Sequence, residues 1–321
     1  MYANIDCISY YLPKNNFNNY SASEIFKNYT PEKIFQKTGI NNRKISNKNE
    51  YSSDLATEAC ESLFLENNIN RKEIDYLILC TQSPDYLMPT TACIVHQNLG
   101  LNNWCGAIDI NQGCSGFIYS LGVAKGLIET KQAEKILLIT SETYSKHLEP
   151  NDHATRTIFG DGAAAVLINR QAKYQKMPLF LYGTNGSGLK NLISYKGGMK
   201  SNESNYKYFY MNGPEVFHFA INTVPEMFKK LISDNNIDIN EIDFFIFHQA
   251  NKFMLDSLKN KLKIPNDKFL CFMSEHGNTV SSSIPIVFSE FIKNKTIKRG
   301  NKIILVGFGI GYSYSLSVID F

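Results

Sequence analysis

The chain has 321 residues, 43% of them apolar, with 33 basic and 30 acidic side chains that leave a formal charge of only +3. Length and apolar content suit one large globular domain or two ordinary ones, and the scattered, nearly balanced charges give no electrostatic case for nucleic acid or membrane as the main partner. The N-terminal segment has no basic stretch followed by a long apolar run, and nowhere do about 18 apolar residues follow one another, so a soluble, cytoplasmic protein is expected. Seven cysteines without a CxxC pair fit a reducing compartment better than a disulfide framework or a zinc site.

In chain order, residues 2 to 9 read as a first strand, and Ser21 to Phe35 as a short helical region broken by Pro31. The Asn- and Lys-rich stretch from Asn41 to Glu50 reads as an exposed loop, and Ser52 to Glu66 as a helix behind a Ser/Asp cap. Residues 107 to 128 (AIDINQGCSGFIYSLGVAKGLI) change periodicity midway. A buried strand runs to about Ile110, then Phe117, Ile118, Leu121, Ala124 and Ile128 recur at helical spacing, so Asn111 to Gly116 is a tight turn. GTNGSG at 183 to 188 lacks a Walker lysine pattern and reads as a surface loop.

The chain also repeats itself. NNINRKEIDYLILCTQ (67–82) and NNIDINEIDFFIFHQA (235–250) agree at six of their first nine positions. The strand, turn and helix around Cys114 correspond to residues 269 to 292, and KILLITSETYS from Lys135 corresponds to KIILVGFGIGYS from Lys302. Landmarks recurring in one order, displaced by about 165 residues, are the sign of a duplicated βα half. Two such halves, 1–170 and 171–321, packed about a pseudo-twofold axis, bring corresponding strand ends to one crevice.

Cys114 stands at a strand end in the first half, beside the small residues Gly113, Ser115 and Gly116. A helix N-terminus there favours a thiolate and a developing oxyanion, which is a nucleophile's position; a buried structural cysteine is the plainer reading. His248 ends the apolar strand FFIFH and Asn278 lies in the turn HGNTVSSS, at the matching end of the second half. Singly they read as a core histidine and a helix cap; on matching strand ends they form one chemical set. GFGIG (307–311) precedes an alternating strand instead of a helix, so it is no dinucleotide fingerprint, but it can offer backbone N–H donors to an oxyanion.

With KTGINNRKI (37–45), PTTA (89–92), NQGCSGF (111–117), FGDGAAAVL (159–167), FHQAN (247–251), HGNTVSSSIP (276–285) and GFGIGYSYS (307–315), the chain resembles the β-ketoacyl-acyl-carrier-protein synthase III family of thiolase-fold condensing enzymes almost end to end. The resemblance implies an α/β fold of two duplicated halves in five αβαβα layers. It implies Cys114 as acyl-accepting nucleophile, and His248 with Asn278 as donors to the enolate left by decarboxylation of a malonyl thioester. It implies an oxyanion hole at the backbone N–H of Cys114 and Ile310, and a pantetheine path along Asn251, Phe217, Gly213 and Gly309. It also implies a homodimer in which Met88 reaches the partner's acyl pocket, simple interface packing being the other reading of that residue. The substrates would be acyl-carrier-protein or coenzyme A thioesters, with no metal or redox cofactor. Asp161 reads as a brace below the site and His276 as a turn residue; His96, His147, His153 and His218 receive no catalytic role.

Two departures bear on the donor. Lys33 stands where the family has a tryptophan that stacks on the adenine of coenzyme A, and the sole tryptophan, Trp104, lies elsewhere; Phe253 stands where the family often has a basic residue. These point to a carrier-bound or unusual acyl donor and a specialised pathway. The competing functions are a Cys114-dependent acyltransferase acting on an amine or hydroxyl, which gives Asn278 no enolate to stabilise, and a non-catalytic partner subunit, from which the loss of such residues would be expected.

Overall fold

A computed structural model describes residues 2–171, 179–200 and 206–321. The strands are β1 (Tyr2–Tyr11), β2 (Asn15–Asn18), β3 (Asn42–Ile45), β4 (Tyr76–Cys80), β5 (Gly106–Ile110), β6 (Lys135–Glu142), β7 (Gly162–Gln171), β8 (Leu179–Thr184), β9 (Leu192–Ser194), β10 (Phe209–Met211), β11 (Phe244–Phe247), β12 (Phe269–Leu270), β13 (Lys302–Gly309) and β14 (Ser313–Asp320). The helices are α1 (Asn19–Ile25), α2 (Pro31–Thr38), α3 (Ser52–Asn67), α4 (Thr91–Leu99), α5 (Gly116–Glu129), α6 (His153–Arg156), α7 (Gly213–Asp234), α8 (Lys252–Leu262) and α9 (Ser283–Lys293).

Two five-stranded sheets carry the fold, in the orders β1-β7-β6-β4-β5 and β8-β14-β13-β11-β12. Position for position these are one topology built twice, with β4 and β6 parallel in one and β11 and β13 parallel in the other. The central strands are continuous apolar runs because both of their faces are covered. One face of the first sheet packs on α3 and α4, burying Leu55, Leu63, Val95 and Leu99 with Leu77 and Leu137. One face of the second packs on α7 and α8, burying Phe228, Leu231, Leu255 and Leu258 with Phe245 and Ile304. Between the sheets lie α5 and α9, whose Phe117, Ile118, Leu121, Ile284, Val287 and Phe288 meet Ile78, Leu138, Ile246 and Leu305 from both sides. The layering is αβαβα, as expected.

Several local readings need correction. Pro31 does not break a helix but starts one: it is the first residue of α2, whose cap Thr30 accepts the Lys33 N–H at 3.3 Å, since a proline's missing N–H costs nothing at that position. The Asn41–Glu50 stretch is no exposed loop throughout, because Asn42–Ile45 pairs with β2 and buries Arg43 completely. In the 183–188 segment Gly183 and Thr184 finish β8 and Gly188 is buried, a Cβ there falling 2.3 Å from the Tyr312 ring. β5 is half-buried instead of buried, because it is the open edge of its sheet. No described helix is long and apolar enough to cross a membrane.

The central layer holds the two sheets together, so a void there is felt on both sides. Phe288 is fully buried against Phe321 at 5.0 Å between ring centroids. Phe288→Ala is expected to cost about 3–5 kcal/mol, read as a lowered denaturant midpoint with unchanged slope.

Candidate active site

The site forms where the two halves touch. Cys114 precedes α5 by two residues and is 8% exposed. The C-terminal end of β13 presses against it: a Cβ on Gly309 would fall 2.9 Å from both Cβ and Sγ of Cys114, and one on Gly307 2.8 Å from Cα of Ser115. Glycine is required at both for backbone to approach this closely. Hydroxyls fasten the same seam, with Ser115 Oγ 2.6 Å from Ser313 Oγ and Ser315 Oγ donating to the Ser115 carbonyl at 3.0 Å.

His248 follows β11 directly and is 2% exposed. Its Nδ1 lies 2.8 Å from Ser283 Oγ, which also receives the Gln249 N–H at 3.4 Å. With the Ser283 hydroxyl proton donated to Nδ1, the neutral ring carries its own proton on Nε2, the tautomer that suits a donor role. The Val280 carbonyl also bears on the ring and works the other way, but burial dominates and pushes the imidazole down to about 3. His248 is neutral throughout the working pH range.

Asn278 is not at a strand end. β12 finishes at Leu270, and Asn278 is reached through a turn and clamped by the first half: its N–H donates to the Ile158 carbonyl at 2.9 Å and its carbonyl accepts the Gly160 N–H at 3.0 Å. Cys114 precedes α5 as Ser281 precedes α9, so Ser281, not Asn278, is its counterpart in the duplication. The Asn278 carboxamide oxygen accepts the Val280 N–H at 2.9 Å, holding Val280 at φ 53, a left-handed conformation that a β-branched residue rarely adopts. That turns Nδ2 toward His248, 3.5 Å from Nε2 and 3.4 Å from the Ala250 carbonyl.

Cys114, His248 and Asn278 line one cavity of about 130 Å³, and Gly213, Asn251 and Gly309 line it too. Phe217 does not; it stacks on the exposed Phe253 with centroids 5.1 Å apart. Asn251 also caps α8 through the Met254 N–H at 2.9 Å. Tyr144, Phe159, Leu192 and Phe209 pack with Cys114, and Tyr144, Leu192, Phe209 and Ile310 line a second cavity of about 650 Å³. Met88 lines neither cavity and is 78% exposed, although the preceding Tyr86 and Leu87 line the second, and Lys33 is exposed. Asp161 braces the floor, accepting both N–H and hydroxyl bonds from Ser46 and Ser145.

The electrostatics depart from expectation at Cys114. A helix N-terminus favours a thiolate, yet burial, followed by the nearby Glu142 carboxyl, holds the thiol well above the ordinary cysteine range. The backbone N–H groups of Cys114 and Ile310 act in the opposite sense by hydrogen-bonding toward the sulfur. Glu142, Ser283 and Tyr144 escaped sequence reasoning. A signal for Glu142 existed, since it ends β6 where Gly309 ends the matching β13, putting a lone charge at the tip of an apolar strand. Among the described residues no group of three or more His, Cys, Asp or Glu side chains could hold a metal ion.

Five layers around a cysteine at a helix start, with histidine and asparagine brought in from the second half, define a thiolase-fold protein. The model for 3-oxoacyl-[acyl-carrier-protein (ACP)] synthase III matches residues 108–186, and that for its C-terminal portion matches 232–321. The β-ketoacyl-[acyl-carrier-protein] synthase III of Lactococcus lactis is 34% identical over 325 residues, covering 99% of each chain. Synthase III 2 of Staphylococcus epidermidis is 37% identical over 325 residues, covering 99% of this chain and 98% of its own. Among solved structures, a 3-oxoacyl-(acyl-carrier-protein) synthase III superposes with TM-score 0.97 at 40% identity over 100% of both chains, and the Pseudomonas aeruginosa enzyme with TM-score 0.91 at 26% identity over 100% of this chain and 98% of its own. The chain belongs to the β-ketoacyl-acyl-carrier-protein synthase III family, and is an acyltransferase of the condensing type.

The seam at Gly309 leaves no room for a methyl group. Gly309→Ala is expected to cost about 1–3 kcal/mol by overpacking, whereas Gly126→Ala, in α5 with nothing within 4 Å, gains about 0.5–1 kcal/mol. Thermal unfolding of the two variants checks the contrast.

Proposed function

We propose that the chain joins an acyl group to a malonyl thioester by decarboxylative condensation, with the nucleophile drawn from half 1–170 and its helpers from half 171–321. The reading rests on one observation: the Nε2 of His248 and the Nδ2 of Asn278 converge within 3.5 Å in the cavity that holds Cys114. Two donors aimed at one point, beside a nucleophile, suit an oxygen that gains charge during the reaction.

In the first stage the Cys114 sulfur attacks the carbonyl of an acyl thioester. The oxyanion sits between the backbone N–H groups of Cys114 and Ile310, and the carrier thiol departs with the proton that Cys114 gave up. In the second, a malonyl thioester enters along Gly213, Asn251 and Gly309 and loses carbon dioxide. The electron pair of the broken bond passes to the thioester oxygen, held by His248 Nε2–H and Asn278 Nδ2–H. The resulting carbanion attacks the acyl carbonyl, the C–S bond breaks with its electron pair going to sulfur, the Cys114 thiolate takes up one proton from water, and a 3-oxoacyl thioester leaves with the thiol restored. Thiol, imidazole, carboxamide and two amides suffice for this chemistry, so no cofactor is assigned. The acyl chain lies toward the wall of Tyr144, Leu192 and Phe209.

Lys33 and the exposed Phe253 support a donor borne on a carrier protein and a specialised pathway in the cytoplasm. The open edge of β5, together with the exposed Tyr86, Leu87 and Met88 between β4 and α4, supports a homodimer in which Met88 reaches the partner's acyl pocket. Light scattering is expected to give twice the 36.4 kDa chain mass; a stable monomer would contradict the dimer.

Intact-protein mass after incubation with acyl-carrier and acyl-coenzyme A thioesters is expected to show an acyl gain that Cys114→Ala abolishes. Asn278→Ala is expected to keep that gain but slow carbon dioxide release from a malonyl thioester about 100- to 1000-fold. Acyl gain without carbon dioxide release by the wild-type protein would favour simple acyl transfer instead, and undiminished release in Asn278→Ala would remove Asn278 from the donors to the enolate.

A further inference from the structure

Glu142 ends β6 fully buried. Its carboxyl group accepts Ser281 Oγ at 2.7 Å, Ser83 Oγ at 2.9 Å and the Gln82 N–H at 3.2 Å to each oxygen. Among the described residues no cation acts on it, and the charged group that does is the acid Asp161. These partners come from both halves. Gln82 and Ser83 follow β4, and the Gln82 side chain lies against Gly113, a Cβ there falling 2.6 Å from Oε1. Ser281 belongs to the Asn278–Ser283 turn and is the duplicate of Cys114. One carboxyl group thus ties the turn carrying Asn278 to the segment behind the nucleophile.

We propose that Glu142 is a positioning residue for acyl transfer: it fixes the Ser281 turn against the Gln82–Ser83 segment and, through its charge, governs how readily Cys114 releases its proton. The inference rests on Cys114 being the nucleophile. Four donor contacts favour the carboxylate, but burial outweighs them and lifts the acid to about 8. Its negative charge raises the acidities' midpoints of Cys114, Cys80 and Tyr144, the titratable groups that feel it. Below the titration Glu142 is a neutral acid, its proton shared with one of the two serine oxygens. Above it, the carboxylate opposes a second negative charge on Cys114, so the two acids titrate as a coupled pair.

Alkylation of the full-length protein by iodoacetamide, followed at Cys114 by peptide mass spectrometry from pH 6 to 9, tests this. Cys114→Ala defines the background from other cysteines. The ratio of the Glu142→Gln rate to the wild-type rate is expected to be near one at pH 6, where Glu142 is already neutral, and to climb to about tenfold at pH 9, equivalent to one pKa unit. Ser281→Ala, which removes a donor from the carboxylate and raises its titration midpoint, is expected to give a smaller rise in the same direction near pH 8. This second variant carries the test if Glu142→Gln does not fold. A ratio independent of pH in the folded variants overturns the proposal. Alkylation needs no substrate, so that outcome is distinct from failure of the condensation reading, which acyl transfer to wild type and Cys114→Ala decides separately.

Discussion

The structure depends on the contact of a bare backbone with a thiol-bearing turn, Gly307 and Gly309 of one half against Cys114 and Ser115 of the other. Everything that surrounds Cys114 follows from how closely β13 approaches. The shared central layer of α5 and α9 sets that distance, because each helix is buried against both sheets and neither sheet can shift without opening a void in the common core. A Cβ at Gly309 would separate the halves where Cys114, Ile310, His248 and Asn278 must meet. The duplication supplies the same contact in reverse, since Glu142 at the matching strand end reaches the Ser281 turn.

Burial without counter-ions is the electrostatic theme of the site. Cys114, Glu142 and His248 each sit in the seam, and burial is the leading cause of the shift at each, toward the neutral form. In the proposed reaction the site therefore starts uncharged, with N–H groups at Cys114 and Ile310 and neutral donors at His248 and Asn278. Such donors gain most when charge appears on a reacting oxygen, because a water-poor cavity does little to screen it. A cationic histidine or a standing thiolate would already have spent part of that gain in the ground state.

The legible part of the fold was the part written in periodicity. Alternation between apolar runs and helical spacing marked the strand-turn-helix at Cys114, and the recurrence of NNIxxxEID with its following strand marked the second half. Local exceptions came where tertiary contacts overrode composition. Asn41–Glu50 looks solvated, yet Arg43 lies wholly buried, its guanidinium over the Phe17 ring at 5.0 Å. Pro31 looks like a breaker but is a first-turn residue. Glu142 passed unnoticed because an acid at the end of a strand is ordinarily solvated, whereas here Gln82 and Ser83 of its own half and Ser281 of the other close over it.

The sequence by itself determined the duplicated α/β architecture and the identity of the cysteine, histidine and asparagine, because these are encoded in local pattern and in motifs of fixed spacing. Only the tertiary structure decided how they are presented. It set Asn278 on a turn clamped to Ile158 and Gly160 instead of on a strand end, chose Ser283 as the partner of His248, and placed Glu142 behind Cys114. The acidity of Cys114 likewise belongs to the fold. A helix start can be read from residues, but the loss of water around a thiol depends on which distant segments close over it, and in this protein that loss outweighs the helix.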